Sequence, residues 1–261
     1  MKQIVAQAFA ALAENLRFFT RLPLGGSTRP PDFSKVGWAA PLAGAIVGSL
    51  GATVFLTMRK NGLPGIISAT LAVAGEIALT GGLHEDGLAD VADGFGGGRD
   101  REAKLAIMRD SRIGAYGAIA LCLILLLRIE AIGALARPYS AFAAAAFVLA
   151  AAAARAAALA PLSWASPARA DGVGASARAL DASVLTGAAG TLAVLATALG
   201  LLSLELVRAF FACVVGAAVA RLFVTLAQRQ IGGQTGDVCG ATAEIVQVAV
   251  LLALLIGGRD T

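Results

Sequence analysis

The stretch Thr80–Gly117 reads TGGLHEDGLADVADGFGGGRDREAKLAIMRDSRIGAYG and is the polar centre of an otherwise apolar chain. It holds seven carboxylates, five cations and the only histidine of the sequence, whereas long runs of Ala, Leu, Val, Ile and Gly flank it. Acidic side chains next to apolar segments long enough to cross a bilayer are costly and are usually functional. The stretch therefore predicts a reactive site between membrane-spanning segments.

Asp86, Asp90 and Asp93 follow one another at spacings of i, i+4 and i+7. A helix turns about 100° per residue, so this spacing places the three carboxylates on one stripe. Like charges at i,i+4 destabilise a helix, which indicates that a cation lies among them, and hard oxygen ligands favour Mg²⁺. We predict these three residues as catalytic and metal-binding, with Glu85 as a further ligand and His84 as a base or substrate contact.

The composition excludes an ordinary soluble domain. Of 261 residues, 58% are hydrophobic and only 15% are charged, and the mean hydropathy is +0.79. Soluble domains carry about 25% charged residues. The net charge of +4 does not predict nucleic-acid binding, because no basic patch is interleaved with aromatic residues. The lipid bilayer is the expected partner, and excess Lys and Arg serve to orient membrane proteins.

We expect an all-α, polytopic integral membrane protein with about seven transmembrane helices and a single membrane-embedded catalytic domain over residues 1–261. Residues 1–35 form an N-terminal segment, whose amphipathic part is expected as an interfacial helix. Residues 80–117 form an acidic catalytic loop, and residues 227–244 form a second, Gly-rich motif. The expected spans, each near the ~20 residues that a bilayer needs, cover residues 36–58, 63–80, 113–132, 138–160, 183–204, 207–226 and 241–256.

Seven spans place the N-terminal segment and the loops 81–112, 163–182 and 227–240 on one side of the membrane. These segments hold most of the Lys and Arg residues outside the spans, which predicts that they face the cytoplasm. Arg155 and Arg221 fall within spans. Cations there are costly, so both should face a polar cavity or pair with buried acids such as Glu76, and Arg155 becomes a candidate substrate contact.

The Gly-rich motif follows the sixth span. Glycines before a helix start can present backbone N–H groups to a phosphate, which makes Gly233 and Gly236 candidate substrate-binding residues. Asp237 precedes Glu244 by seven residues on one helical face and could complete a metal site. A Gly-rich turn with Asp237 as a helix cap explains the motif equally well, and the two interpretations stay open.

Two further charged groups follow the aspartate stripe. Arg109, Asp110 and Arg112 combine two guanidinium groups with a carboxylate, and guanidinium groups suit phosphate recognition. The other group is expected to be a solvated face that starts a surface helix, and it comprises Asp100, Arg101, Glu102 and Lys104.

Several motifs resemble one known family, the cobalamin-5′-phosphate synthases, also called adenosylcobinamide-GDP ribazoletransferases. The resemblance covers nearly the whole chain. The motifs that carry it are HEDGLADVADGFGGG (84–98), MRDSRIGAYG (108–117), GGQTGDVCGA (232–241), FFTRLPL (18–24) and ARADGVG (168–174). Within the matched motifs, Arg21 and Gly94 are candidate substrate-binding residues.

The resemblance implies an integral enzyme of the bacterial cytoplasmic (inner) membrane that requires Mg²⁺. In the family's reaction, the 5′-hydroxyl of α-ribazole or of its 5′-phosphate attacks the cobinamide-side phosphorus of adenosylcobinamide-GDP, and GMP is released. This is the last assembly step of the lower ligand. Homo-oligomers and contacts with other cobalamin-pathway enzymes are further expectations.

Two alternatives remain at this point. Residues Asp90–Gly94 match the DxxDG opening of CDP-alcohol phosphotransferases, but Gly97 and Gly98 stand where that family has Ala-Arg, and a later Asp is missing. Prenyltransferases fit less well, because a second Asp-rich motif is absent. A magnesium transporter would also carry acids within its spans, although here only Glu76 clearly lies within one.

Overall fold

A computed structural model describes residues 2–26, 30–135, 141–169, 180–203 and 205–256, and the regular elements in these ranges are all helices. The all-α prediction is therefore confirmed. In chain order the helices are α1 (Lys2–Phe19), α2 (Phe33–Val36), α3 (Ala40–Lys60), α4 (Gly65–Thr80), α5 (Leu83–Gly97), α6 (Arg101–Ile107), α7 (Ala115–Ala134), α8 (Ala141–Ala157), α9 (Ala160–Trp164), α10 (Ala182–Leu202), α11 (Leu206–Ile231) and α12 (Gly236–Leu255).

Six segments are long and apolar enough to cross a membrane, and α4 with α5 gives a seventh if this bent pair counts as one span. The chain is a polytopic membrane protein. The predicted spans match these helices, and the second, over residues 63–80, corresponds to α4, the first half of the bent pair. The predicted start of the fourth span at Pro138 lies outside the described residues. Helix α1 is not among the candidate spans.

The break between α4 and α5 turns the chain by 90°. Gly81 and Gly82 both have left-handed backbone conformations, with φ of 71° and 72°, which side chains with a Cβ rarely adopt. The N–H of Gly81 donates to the carbonyl of Ile77 and closes α4. The acidic stretch that begins here is a helix rather than a loop, and the turn directs its aspartates away from the axis of α4.

Small residues determine the tightest helix crossing, between α3 and α8. A Cβ at Gly44 would collide with the backbone of Ala151, and a Cβ at Gly48 would lie 2.6 Å from the carbonyl oxygen of Phe147. Helices in membranes associate through such close backbone contacts, because lipid offers no hydrophobic driving force between them. The Ala-rich α8 is accordingly a central helix of the bundle.

The bundle has buried and lipid-facing helices. Helices α8 and α12 are largely covered by their neighbours, whereas α7, α10 and α11 expose most of their surface. The exposed face of α7 carries Ile119, Leu123 and Leu126. An apolar surface of this extent suits contact with hydrocarbon chains. It follows that charged residues on α12, or on the inner face of α7, are withdrawn from lipid.

The prediction that Arg221 faces a polar cavity or pairs with a buried acid was wrong. Its side chain is exposed on α11, and its guanidinium lies 5.3 Å from the centre of the Trp164 ring. A cation over an indole face is stabilised by the ring quadrupole, so this arginine needs no buried carboxylate.

Candidate active site at the α5–α12 crossing

Helices α5 and α12 cross closely because glycines face each other's backbone. A Cβ at Gly87 would lie 2.8 Å from the carbonyl oxygen of Asp237, and one at Gly240 would lie 3.3 Å from Cα of His84. The crossing joins two motifs that are about 150 residues apart in the sequence. It brings the aspartate stripe of α5 to the start of α12.

A cluster of carboxylates results. Asp86 is exposed and Asp90 is half-buried, and the charges of Asp86, Asp93 and Asp237 all act on Asp90. Both Asp86 and Asp90 line a cavity of about 710 Å³, which we call the polar cavity. Like charges this close repel one another. The arrangement is compatible with a bound cation, which stays a prediction.

Asp237 is held by a residue that the sequence analysis did not single out. Arg169 donates to Asp237 Oδ2 at 2.6 Å, and the Thr235 hydroxyl donates to the same oxygen at 3.2 Å. The side chain of Thr235, not that of Asp237, accepts the Val238 N–H and caps α12. The interpretation of Asp237 as the helix cap is therefore wrong, and its part in a metal site stays a prediction.

Asp93 has a partly different role from the other two aspartates of the stripe. Its two carboxylate oxygens accept the N–H groups of Gly114 at 2.7 Å and of Gly117 at 2.8 Å. These N–H groups belong to the start of α7, where a carboxylate also interacts favourably with the helix dipole. Asp93 therefore fixes α7 against α5.

A buried cluster of charges lies beneath this surface. Arg128 of α7 donates to Glu76 of α4, to Glu85 at 3.3 Å and to Glu244 at 3.2 Å, with 1% of its side chain exposed. The sequence analysis did not single out Arg128 and missed these pairs. An arginine and a glutamate within apolar spans were the signal that could have revealed them.

Arg155 belongs to the same buried cluster. It donates to Gln247 at 3.1 Å and interacts electrostatically with Glu76 and Glu244, as expected for a cation inside a span. Arg155 does not line the polar cavity. Its predicted contact with substrate is disfavoured by this burial.

Arg21 is the phosphate-binding candidate that the structure places at the cavity. It lines the polar cavity and donates to the carbonyl of Gly81 at 3.4 Å. Arg112 forms an exposed ion pair of 2.6 Å with Asp110, and this pairing lowers the pKa of the Asp110 carboxyl to about 2. Arg109 is also exposed. Ser111, between Asp110 and Arg112, lines the cavity, so this segment forms its rim.

Packing explains two of the three candidate glycines. Gly94 lies against Met108 and the backbone of Lys104, and Gly233 is covered by the backbone of Ser166 and Ala168. Both positions exclude a side chain whether or not a ligand is present. Phosphate binding by Gly233 and Gly94 stays a prediction, and so does binding by Gly236.

The expected solvated face is only partly correct. Asp100 caps α6 by accepting the Ala103 N–H at 2.9 Å. Arg101, however, donates to the carbonyls of Ile231 and Ala168, and Lys104 contacts Gln230. These cations tie α6 to the Gly-rich motif, because the end of α11 lies beside α6.

Comparison with known proteins identifies the family. The cobalamin-5-phosphate synthase family matches residues 11–255. The chain belongs to this family. Three bacterial proteins named adenosylcobinamide-GDP ribazoletransferase are similar to it. That of Mesorhizobium japonicum is 47% identical over 91% of this chain and 89% of its own length.

The other two relatives cover almost the whole of both chains. That of Bradyrhizobium diazoefficiens is 44% identical, with 98% of each chain covered. That of Azorhizobium caulinodans is 42% identical over 97% of this chain and 98% of its own. No solved structure matches the chain. Membership of the cobalamin-5-phosphate synthases, and thus of an enzyme family, decides against the CDP-alcohol phosphotransferase and transporter alternatives.

Two groups of residues could hold the Mg²⁺ that the family resemblance implies. Among the described residues, one set of His, Cys, Asp or Glu ligand atoms lies within 4.8 Å of one another, formed by His84, Glu85 and Glu244. Arg128 already neutralises the two glutamates, so this set does not fit a divalent cation. Mg²⁺ is usually held by one or two carboxylates together with substrate phosphates and waters. The more open pair Asp86 and Asp90 fits that pattern.

Proposed function

We propose that the protein transfers the adenosylcobinamide-phosphate group of adenosylcobinamide-GDP to the 5′-hydroxyl of α-ribazole or of its 5′-phosphate, and releases GMP. The names of its relatives support this activity. The observation that carries the proposal is that Asp86, Asp90 and Arg21 line one cavity of about 710 Å³, with Asp237 close enough for its charge to act on Asp90. Such a site suits a diphosphate substrate.

The reaction is a displacement at phosphorus. The 5′-oxygen of the acceptor forms a bond to the cobinamide-side phosphorus, while the bond from that phosphorus to the bridging oxygen breaks. The bridging oxygen leaves with GMP, and the hydroxyl proton passes to a base. Catalysis of this kind consists mainly of positioning the reactants and neutralising charge.

We propose Asp86, Asp90 and Asp237 as the residues that hold Mg²⁺. When bound, Mg²⁺ neutralises the diphosphate and the developing charge on the leaving oxygen. We leave Glu85 out of this set because it is buried in the Arg128 cluster, and Asp93 because both of its oxygens accept backbone N–H groups. Asp237 stays in the set because it is less buried and Arg169 and Thr235 occupy only its Oδ2.

The remaining polar residues position substrate and ligands. Arg21 faces the polar cavity and is suited to bind a phosphate of the donor. Arg169 fixes the carboxylate of Asp237. An aspartate of the cluster or His84 takes the hydroxyl proton. Arg109 and Arg112, on the rim, bind the outer part of the donor.

We further propose that the polar cavity faces the cytoplasm from the bacterial inner membrane. The excess of Lys and Arg in the segments around it supports this orientation. Both substrates are polar and water-soluble, so an opening toward an aqueous compartment is required. Homo-oligomers and contacts with other enzymes of the pathway remain predictions from the family.

The test is a turnover assay on purified protein in liposomes. Adenosylcobinamide-GDP and α-ribazole 5′-phosphate are supplied with Mg²⁺, and GMP release and cobamide formation are followed with and without EDTA. We expect Mg²⁺-dependent release of GMP with one cobamide formed per GMP. GMP without a cobamide, or turnover that persists in EDTA, would contradict the proposal.

A further inference from the structure

A second cavity, of about 160 Å³, lies on the other side of Asp86 from the polar cavity. Its walls are mainly apolar and include Phe18, Phe19 and Phe33 from the N-terminal segment. We call it the aromatic pocket. Nothing in the proposed roles of the aspartates accounts for its shape or its chemistry.

The aromatic rings that line the aromatic pocket pack against one another. Phe18 makes edge contacts with Phe19 and with Phe33, in both cases with ring centres 5.1 Å apart. Phe19 is stacked on His84, at 5.7 Å and with 23° between the ring planes. Aromatic walls in edge and stacked arrangements favour a planar aromatic guest. A dry apolar cavity of about 150 Å³ is large enough to bind benzene.

His84 gives the pocket one polar requirement. Its side chain is 98% buried and lines the pocket, and among the described residues its Nε2 atom has no hydrogen-bond partner. Buried polar groups are nearly always paired in native proteins. An imidazole nitrogen pairs well with a nitrogen of another heterocycle. A planar heterocycle in the pocket would bring such a nitrogen next to the His84 ring.

The pocket also opens toward the reacting groups. Asp86, Leu83 and Phe18 line both cavities, and Asp237 lines the aromatic pocket. A nucleoside whose base fills the pocket would therefore direct its sugar toward Asp86. The donor diphosphate would lie beyond Asp86, in the polar cavity beside Arg21.

We infer that the aromatic pocket binds the heterocyclic base of the acceptor nucleoside, stacked between phenylalanine rings, with a ring nitrogen hydrogen-bonded to His84 Nε2. This inference rests on the proposed function for the identity of the acceptor. It makes His84 a specificity-determining residue for a benzimidazole-type base. The alternative role of His84, as the base that accepts the hydroxyl proton, is an outcome of the test.

The experiment combines a protein change with a substrate change. In His84→Phe the ring that stacks on Phe19 is retained and the nitrogen is lost. The acceptor is α-ribazole or its indole analogue, in which C–H replaces the unsubstituted ring nitrogen. We expect the wild-type KM to be about tenfold higher for the indole analogue, the order of one hydrogen bond. His84→Phe should show the higher KM for α-ribazole and no discrimination between the two acceptors.

Two further variants distinguish a specific loss of base binding in the pocket from general damage to the fold. Phe33→Leu shortens a wall of the pocket and should raise the KM for α-ribazole several-fold, with the KM for adenosylcobinamide-GDP unchanged. Phe55→Leu makes the same change at a buried ring that packs on Phe147, away from the pocket, and should leave both KM values unchanged. Equal effects of the two variants would overturn the inference. So would a His84→Phe enzyme with a reduced kcat and an unchanged acceptor KM.

Equilibrium binding of α-ribazole, measured by calorimetry without donor or Mg²⁺, distinguishes a failure of the pocket inference from a failure of the proposed reaction. Binding that His84→Phe weakens about tenfold, in a protein that shows no turnover, would support the pocket and contradict the proposed reaction. Turnover together with an acceptor affinity that neither pocket variant changes would contradict the role of the pocket alone. A protein that neither binds α-ribazole nor turns over would contradict both.

Discussion

Arg128 and Glu244 form a buried ion pair, with 3.2 Å between Nη1 and Oε2. The same guanidinium also pairs with Glu76 and Glu85, so one side chain of α7 joins α4, α5 and α12. Two of these glutamates lie on either side of the 90° break between α4 and α5. The Arg128 cluster therefore holds the bent pair to α12 and keeps the aspartate stripe in place.

We expect Arg128→Met to destabilise the fold strongly. Removing one partner of a buried ion pair typically costs about 3–5 kcal/mol, because the remaining charge stays buried without compensation. Here three glutamates would remain, with Arg155 as the neighbouring cation. The measurement is the midpoint of thermal unfolding in detergent. Arg112→Gln, which breaks an exposed pair, is the control and should leave the midpoint almost unchanged. Equal midpoints for the two variants would show that the buried cluster does not support the fold.

The two roles within the aspartate stripe can be separated by Asp93→Asn. An asparagine keeps one carbonyl oxygen and cannot accept both the Gly114 and Gly117 N–H groups in the same way, so the start of α7 should loosen. We expect a loss of stability of about 1–2 kcal/mol.

Asp90→Asn should instead abolish turnover without loss of stability, since it removes repulsion within the cluster. Stability measured by unfolding, together with GMP release, checks both; a stable Asp93→Asn protein would contradict the capping role.

The crossing of α3 and α8 predicts which glycines tolerate a methyl group. Gly48→Ala should reduce the yield of folded protein, because the new Cβ would meet the Phe147 carbonyl and part of the α8 backbone. Gly75→Ala is the matched control: it is also inside a helix, but no neighbouring atom lies within 4 Å of its added Cβ. Alanine should stabilise α4 there by about 0.5–1 kcal/mol. Monodisperse yield in detergent is the readout, and equal yields would contradict the close crossing.

Local patterns made much of this fold predictable. The length and hydropathy of the spans, the helical spacing of Asp86 and Asp90 and the Asp100 cap of α6 depend on neighbours a few residues away. The helical spacing of Asp237 and Glu244 also brought Asp237 into the candidate site before the structure placed it beside α5.

Relations between distant segments were not predictable in the same way. The pairs Arg128–Glu244 and Arg169–Asp237 join residues 116 and 68 positions apart. They depend on how each helix is rotated about its axis, which a nearly uniform apolar sequence does not encode. For the same reason Arg221 was expected inside the bundle and faces outward over Trp164. The aromatic pocket likewise combines Phe33 with His84, and no local pattern links them.

The central claim is that Asp86, Asp90 and Asp237 hold a divalent cation together with the donor diphosphate. The most direct measurement is electron paramagnetic resonance of Mn²⁺ titrated into purified protein with adenosylcobinamide-GDP. We expect the titration to show bound Mn²⁺ in the wild type. Asp90→Asn should lower the Mn²⁺ affinity at least about tenfold, which corresponds to ~1.4 kcal/mol. Phe55→Leu should bind Mn²⁺ as the wild type does. Equal Mn²⁺ affinity in Asp90→Asn and the wild type would contradict the claim.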